Sequence, residues 1–260
     1  MAASTNKAAQ ALKSLVQRKG RPLILTNVYD RLSAQAVAEL PQTEALATAS
    51  HAIANAAGLP DEGLDFETNI AAVRDIAAVA KQHGKPLTVD MQDGYGAKLE
   101  RNVGRLIELG VAGVNIEDTE LATGKLYPAV DAALRIRRAL DAAADLGVPG
   151  FVVNARCDGL LLGGGLGEVL DRGKRYLEAG ATTIFVIGGS ERGGVSRGEV
   201  EELVRAFDGR LNVILKRSAD GLSTKDLAEM GVARISVGPT LQAVAMAALK
   251  KEAAAILDTN

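Results

Sequence analysis

Apolar positions along the chain fall into short unbroken runs that alternate with longer stretches of helical spacing. Eight runs have strand length: Pro22 to Thr26, Ala45 to Thr48, Leu87 to Val89, Ala112 to Ile116, Gly150 to Asn154, Thr183 to Ile187, Leu211 to Leu215 and Arg234 to Val237. Such runs suit strands covered on both faces. Between them, apolar residues recurring at three and four positions predict helices over Arg31 to Leu40, Phe66 to His83, Leu99 to Leu109, Pro128 to Leu146, Glu168 to Ala179, Val195 to Phe207, Thr224 to Met230 and Leu241 to Leu257. A first helix, Asn6 to Arg18, carries Ala9, Leu12, Leu15 and Val16 on one face. Asp30 is placed to cap the second helix, and Gly110, Gly147, Gly180 and Gly231 stand where helices stop. Two stretches break the rhythm. The polar, small segment Ser50 to Gly63 is too long for a routine connection and reads as a functional or disordered loop. The glycines of Gly163 to Gly167 read as a flexible linker.

Strands that alternate with helices predict a parallel sheet, and eight such units point to a (β/α)8 TIM barrel. The expected layout is one barrel domain over 1–260, with an N-terminal helix within 1–20 and a C-terminal helix within 240–260. An open doubly wound sheet is the alternative, but no GxGxxG opens a helix after the first strand. Composition adds that the core is aliphatic, since aromatics are 3% of the chain and Trp is absent. A formal charge of -2, from 30 basic and 32 acidic residues, leaves no footprint for nucleic acid or an anionic membrane, so a small solute is the expected partner. The one cysteine, Cys157, excludes an internal disulfide and a cysteine-based zinc site. With no membrane-length apolar run and no apolar N-terminal leader, the expected location is cytoplasmic.

Chemistry gathers where the strands end. In a barrel of this kind the C-terminal strand ends form the active face. Here they carry Asp90, Gln92 and Asp93 on the third strand, Glu117 and Asp118 on the fourth, and Asn154, Arg156 and Asp158 on the fifth. Oxygen donors without a histidine or cysteine cluster suit a hard cation such as Mg2+, and Arg156 suits a bidentate grip on a substrate carboxylate. The competing reading is an internal ion-pair network in which Arg156 neutralises Asp90 and Glu117.

Three motifs, LTVDMQDGYG, GVNIEDT and VVNARCD, occur in order at three strands. Together they resemble the isocitrate lyase/phosphoenolpyruvate mutase superfamily, over about Pro22 to Leu249. The resemblance implies a (β/α)8 barrel, often with its last helix exchanged between subunits of a homodimer or homotetramer. It also implies Mg2+-dependent chemistry, with Mn2+ a possible substitute, on small 2-oxo acids or their phosphonate analogues. Residue by residue it implies Asp90, Glu117 and Gln92 as the metal shell, and Asp90, Glu117 and Arg156 as the catalytic group. Ala49 and Ser50 would offer backbone N–H groups to an enolate-like oxygen, and Arg156, Tyr95 and Asn154 complete the substrate-binding set. Asp61 matches a loop aspartate of some relatives.

The departures from the family pattern narrow the activity. Gln92 stands where many relatives carry a second acid, so either Asp93 compensates or the metal is held more weakly. His51 is read as a surface histidine, Cys157 as a small buried residue, and Lys216 and Arg217 as rim cations or solvent-facing groups. The segment TELATGKLY, Thr119 to Tyr127, lacks both the KxCGH-type cysteine of the isocitrate and methylisocitrate lyases and the Lys and Asn-Ser pattern of true phosphoenolpyruvate mutases. A lyase or decarboxylase acting on an oxaloacetate- or malate-like di-acid through a pyruvate enolate is therefore the leading expectation. A P–C bond enzyme and a non-catalytic oxo-acid-binding barrel are the alternatives.

Overall fold

The computed structural model describes residues 2–218 and 221–258. Eight parallel strands form one sheet: β1 (Leu23–Leu25), β2 (Leu46–Ala47), β3 (Leu87–Asp90), β4 (Gly113–Glu117), β7 (Val152–Cys157), β8 (Thr183–Val186), β9 (Leu211–Ile214) and β10 (Arg234–Ser236), in the order β1-β10-β9-β8-β7-β4-β3-β2. A parallel bridge between Val28 and Thr48, with the Val28 N–H donating to the Ala47 carbonyl at 2.8 Å, joins the two ends of that order. The sheet thus closes into the expected (β/α)8 barrel. Two short strands, β5 (Thr119–Glu120) and β6 (Lys125–Leu126), pair antiparallel as a small hairpin after β4.

The helices are α1 (Ala2–Val16), α2 (Arg31–Ala38), α3 (Ser50–Ala56), α4 (Phe66–Gln82), α5 (Leu99–Glu108), α6 (Ala129–Asp145), α7 (Leu166–Glu178), α8 (Arg197–Ala206), α9 (Thr224–Glu229) and α10 (Thr240–Leu257). Their boundaries have local causes. Asp30 accepts from the Ser33 N–H to start α2, while Ser196 and Ser223 form capping boxes with Glu199 and Asp226. At the far end of α5, Gly110 sits at φ 88, its N–H bonds the Ile107 carbonyl and the Val111 N–H bonds Leu106. That left-handed exit is open to glycine at no steric cost, and it turns the chain straight into β4.

The lower mouth of the barrel is sealed by α1. Ala9, Leu12 and Val16 are buried, and Asn6 Oδ1 accepts the Gly150 N–H at 2.9 Å. Arg18, just after this helix, grips Glu44 with two bonds of 2.6 and 2.7 Å. The outer layer packs closely enough to dictate small residues. A Cβ added at Gly173 in α7 would fall 2.2 Å from the ring of the fully buried Phe207. Gly173→Ala is therefore expected to destabilise the protein by about 1–3 kcal/mol through overpacking, reversing the usual helical gain from alanine of ~1 kcal/mol; urea unfolding measures it.

Two readings of the sequence need correction. Ser50 to Gly63 is not a loop: α3 occupies its first half and a 3-10 turn, Asp61–Gly63, its end. The helix was concealed because it begins at Ala49 without a side-chain cap and buries only Ser50, Ala52, Ile53 and Ala54. It is held by a satellite cluster of Ile53, Ala54 and Leu64 against Tyr29, Leu59 and Ala72. The glycines at Gly163 to Gly167 are not a free linker either, since Gly165 serves as N-cap of α7. The last helix, α10, buries Gln242 alone among its described residues and leaves Val244, Met246, Leu249, Ile256 and Leu257 exposed. No helix among the described residues is long and apolar enough to cross a membrane.

Candidate active site

Register brings the strand-end residues together. Asp90 pairs with Asn115, Asn115 with Asn154, and Glu117 with Arg156. Because in-register neighbours in a parallel sheet project to the same face, these side chains all enter the barrel. β7 runs to Cys157, three residues beyond the sequence expectation, which sets Arg156 on the strand itself.

Asp90 is the centre of a hydrogen-bond relay. Its Oδ2 accepts the Ser50 N–H at 3.0 Å, its Oδ1 accepts Asn115 Nδ2 at 2.9 Å, and its own N–H donates to Thr48 Oγ1 at 2.9 Å. Asn115 Oδ1 then accepts from Asn154 Nδ2 at 2.7 Å, and Asn154 Oδ1 from the Thr183 hydroxyl at 2.6 Å. Asn154 is thereby spent within the barrel as a support for Asn115. Asn115 and Thr48 were missed in the sequence, although Asn115 stands two positions before Glu117 and so shares its strand face. Asn115→Ala would leave Asn154 Nδ2 buried and unpaired, at a cost of about 1–3 kcal/mol, and would free the Asp90 side chain to rotate. Denaturant unfolding and turnover are both expected to register the loss.

The second group is an ion-pair cluster. Arg156 Nη1 lies 2.7 Å from Glu117 Oε2, and its Nε donates to Asp158 Oδ1 at 2.6 Å. Burial opposes the Arg156 charge, but Asp158, Glu117 and Asp90 outweigh it and hold the guanidinium charged beyond its ordinary range. Glu117 moves the other way. Burial, joined by the charges of Asp158, Asp90 and Asp61, pushes its carboxyl up to about 8 despite Arg156. Burial and the nearby Asp90 also raise Asp61. Carboxyls raised in this way mark a pocket short of positive charge.

Gln92 is buried at φ 50, and its Nε2 donates to the Asp61 carbonyl at 2.8 Å, tying the turn after α3 to the end of β3. Its Oε1 has no partner among the described residues. Tyr95, also left-handed at φ 62, bonds Asn69 Nδ2 through its hydroxyl and meets the Phe66 ring edge-on. Asp93 does not compensate for Gln92: its carboxylate accepts from the Tyr127 hydroxyl and the Tyr95 N–H, and Arg135 covers it. Asp118 likewise turns away, accepting from the Tyr176 hydroxyl at 2.6 Å and the Asp158 N–H at 2.8 Å. His51 is half exposed, 3.6 Å from Asp61, while Lys216 and Arg217 are exposed. Cys157 is fully buried, and burial pushes its thiol well up.

Among the described residues no three His, Cys, Asp or Glu side chains converge as a ready-made metal cluster. The donor set nevertheless fits a hydrated hard cation. Its donors are all oxygen, the Gln92 Oε1 is an orphaned buried acceptor, and the raised Glu117 would be relieved by added positive charge.

Comparison with known proteins places this geometry in context. Residues 12–257 match the family model described as phosphoenolpyruvate phosphomutase. An uncharacterised protein of Mycobacterium tuberculosis strain H37Rv is 29% identical over 246 residues, 94% of this chain and 88% of that protein. The 2,3-dimethylmalate lyase of Eubacterium barkeri is 26% identical over 68% of this chain and 62% of its own length. Among solved structures, a candidate phosphonomutase of Burkholderia cenocepacia J2315 superposes with TM-score 0.84 at 33% identity, covering 95% of this chain and 99% of that one. Oxaloacetate acetylhydrolase, solved with its product oxalate, superposes with TM-score 0.84 at 25% identity over 98% of this chain and 88% of its own.

Proposed function

This chain belongs to the phosphoenolpyruvate phosphomutase family, which its residues 12–257 match, and on that footing we propose that it is a divalent-cation-dependent carbon–carbon lyase or decarboxylase for a small 2-oxo or 2-hydroxy di-acid. One observation carries the reading: a buried, permanently charged Arg156 at the strand ends, beside Asp90 and an all-oxygen donor set.

Arg156 binds the substrate carboxylate. Its Nε and Nη1 are fixed by Asp158 and Glu117, so the guanidinium plane is set before the ligand arrives. Asp90, Glu117 and Gln92 Oε1 would hold Mg2+, or Mn2+ in its place. When bound, the cation supplies polarisation of the carbonyl oxygen next to the bond that breaks. The Ala49 and Ser50 N–H groups would turn to the same oxygen as it gains enolate character, Ser50 releasing the bond its N–H gives to Asp90 here. Tyr95 and the Gln92–Asp61 tie wall the pocket. Cys157, buried with its thiol raised, takes no part as an acid, and the β5–β6 hairpin carries no cysteine.

The test is release of pyruvate or another 2-oxo product from oxaloacetate and substituted malates, with and without Mg2+. Metal-dependent turnover on one of them is expected, and none on any di-acid would end the proposal. A second reading, P–C bond chemistry, is favoured by the 33% identity to the Burkholderia candidate phosphonomutase; phosphorus NMR of phosphonopyruvate decides it. Calorimetry showing tight oxo-acid binding without turnover would instead indicate a binding protein. For assembly, we propose a cytoplasmic homodimer or homotetramer in which α10 crosses to a second copy. Its apolar residues are exposed, and Ile24 on the outer face of β1 is left 43% exposed.

A further inference from the structure

Arg234 opens β10 and has no part in the chemistry above. Its direction follows from register. Arg234 pairs with Asn212, Asn212 with Phe185, Phe185 with Arg156 and Arg156 with Glu117. Since Arg156 and Glu117 meet inside the barrel, Arg234 points inside as well. It is 3% exposed, and among the described residues neither its Nε nor its Nη1 has a hydrogen-bond partner. The acid whose charge reaches it is Asp90, but both oxygens of Asp90 are taken, by the Ser50 N–H and Asn115 Nδ2. Thr88, two positions before Asp90 and so on the same interior face, is 1% exposed, and its hydroxyl too has no partner among the described residues. Burial lowers the Arg234 guanidinium to about 10 against the pull of Asp90, which still leaves it charged at neutral pH.

A buried charge persists only when something pairs with it. We propose that Arg234 forms an internal receptor for one small monovalent anion, of halide or formate size, inside the barrel. The charge calls for one negative unit. Its register partners Leu23 and Asn212, and Ser236 two positions on, are all buried, so the ion is small. The site is separate from the substrate clamp at Arg156 and does not rest on the lyase reading.

Crystals of the full chain soaked in bromide are expected to show an anomalous peak within hydrogen-bond reach of Arg234 Nε and Nη1. In solution at constant ionic strength, the unfolding temperature is expected to rise saturably with bromide or formate and not with gluconate, since only an anion that fits binds the native state. Arg234→Met is expected to lose that rise. Water at the guanidinium in bromide-soaked crystals, a peak at Arg156 alone, or a saturable rise retained in R234M would each overturn the proposal. The diffraction arm needs no variant to fold. Neither arm reads turnover, so failure of the lyase proposal leaves this one standing, and the reverse.

Discussion

Replacing Arg156 by methionine is expected to lower kcat/KM on the di-acid substrate by at least about 30-fold, as removal of a charged hydrogen-bonding partner costs roughly 2–5 kcal/mol. The same change strands two acids. Glu117 is 7% exposed and Asp158 fully buried, and both lean on this guanidinium. Breaking a buried pair by removing one member costs about 3–5 kcal/mol, so the unfolding midpoint in urea falls as well. Arg156→Lys separates the two effects. A lysine retains the charge but reaches one acid rather than two and cannot offer a planar fork; stability is expected to recover in part and kcat/KM to stay depressed.

The second large effect belongs to Asp90, and here fold and activity are expected to part company. Asp90→Asn removes the charge but keeps the shape, and its amide would oppose one of the two donors that Asp90 accepts from. The relay can absorb this. If Asn115 and Asn154 both reverse, Asn154 Nδ2 faces the Thr183 hydroxyl, which can accept as well as donate. The loss of stability is therefore expected to stay near 1 kcal/mol, while metal-dependent turnover falls by about 10²–10³, the usual cost of removing a preorganised electrostatic group. Thr183→Val takes away the hydroxyl that Asn154 uses in either orientation without blocking the reversal, so its cost is expected to add to that of D90N within about 0.5 kcal/mol. Denaturant curves of the four proteins in that cycle read it directly.

Much of this architecture is legible in the chain because each level of the sequence agrees with the next. Gly110, Gly147, Gly180 and Gly231 stop helices one short step before apolar runs, and the strands begin where those runs do. Asp90, Glu117 and Arg156 were visible because acids and an arginine ending buried strands must find partners. Asn115 and Thr48 were not, since a polar residue inside a strand carries no sign of whether it faces a helix or the lumen until register is known. α3 was hidden for a different reason: it lacks both a side-chain cap and a long apolar stripe, and its stability comes from tertiary contact with Tyr29 and Ala72. Asp93 and Asp118 show the limit of reading strand ends by composition. They follow the site residues in sequence, yet the backbone turns them toward Tyr127, Arg135 and Tyr176, where they brace the site without lining it.

On this reading Asp90, Glu117 and Gln92 hold a cation beside an oxo acid clamped by Arg156. The most direct measurement is a crystal structure of the protein with Mg2+ and oxalate, a mimic of the pyruvate enolate. An ion bound by Asp90 at about 2.0–2.1 Å is expected, with Glu117 and Gln92 Oε1 on it or on its waters and the oxalate on Arg156. Oxalate bound away from Arg156, or an ion held without Asp90, would contradict it.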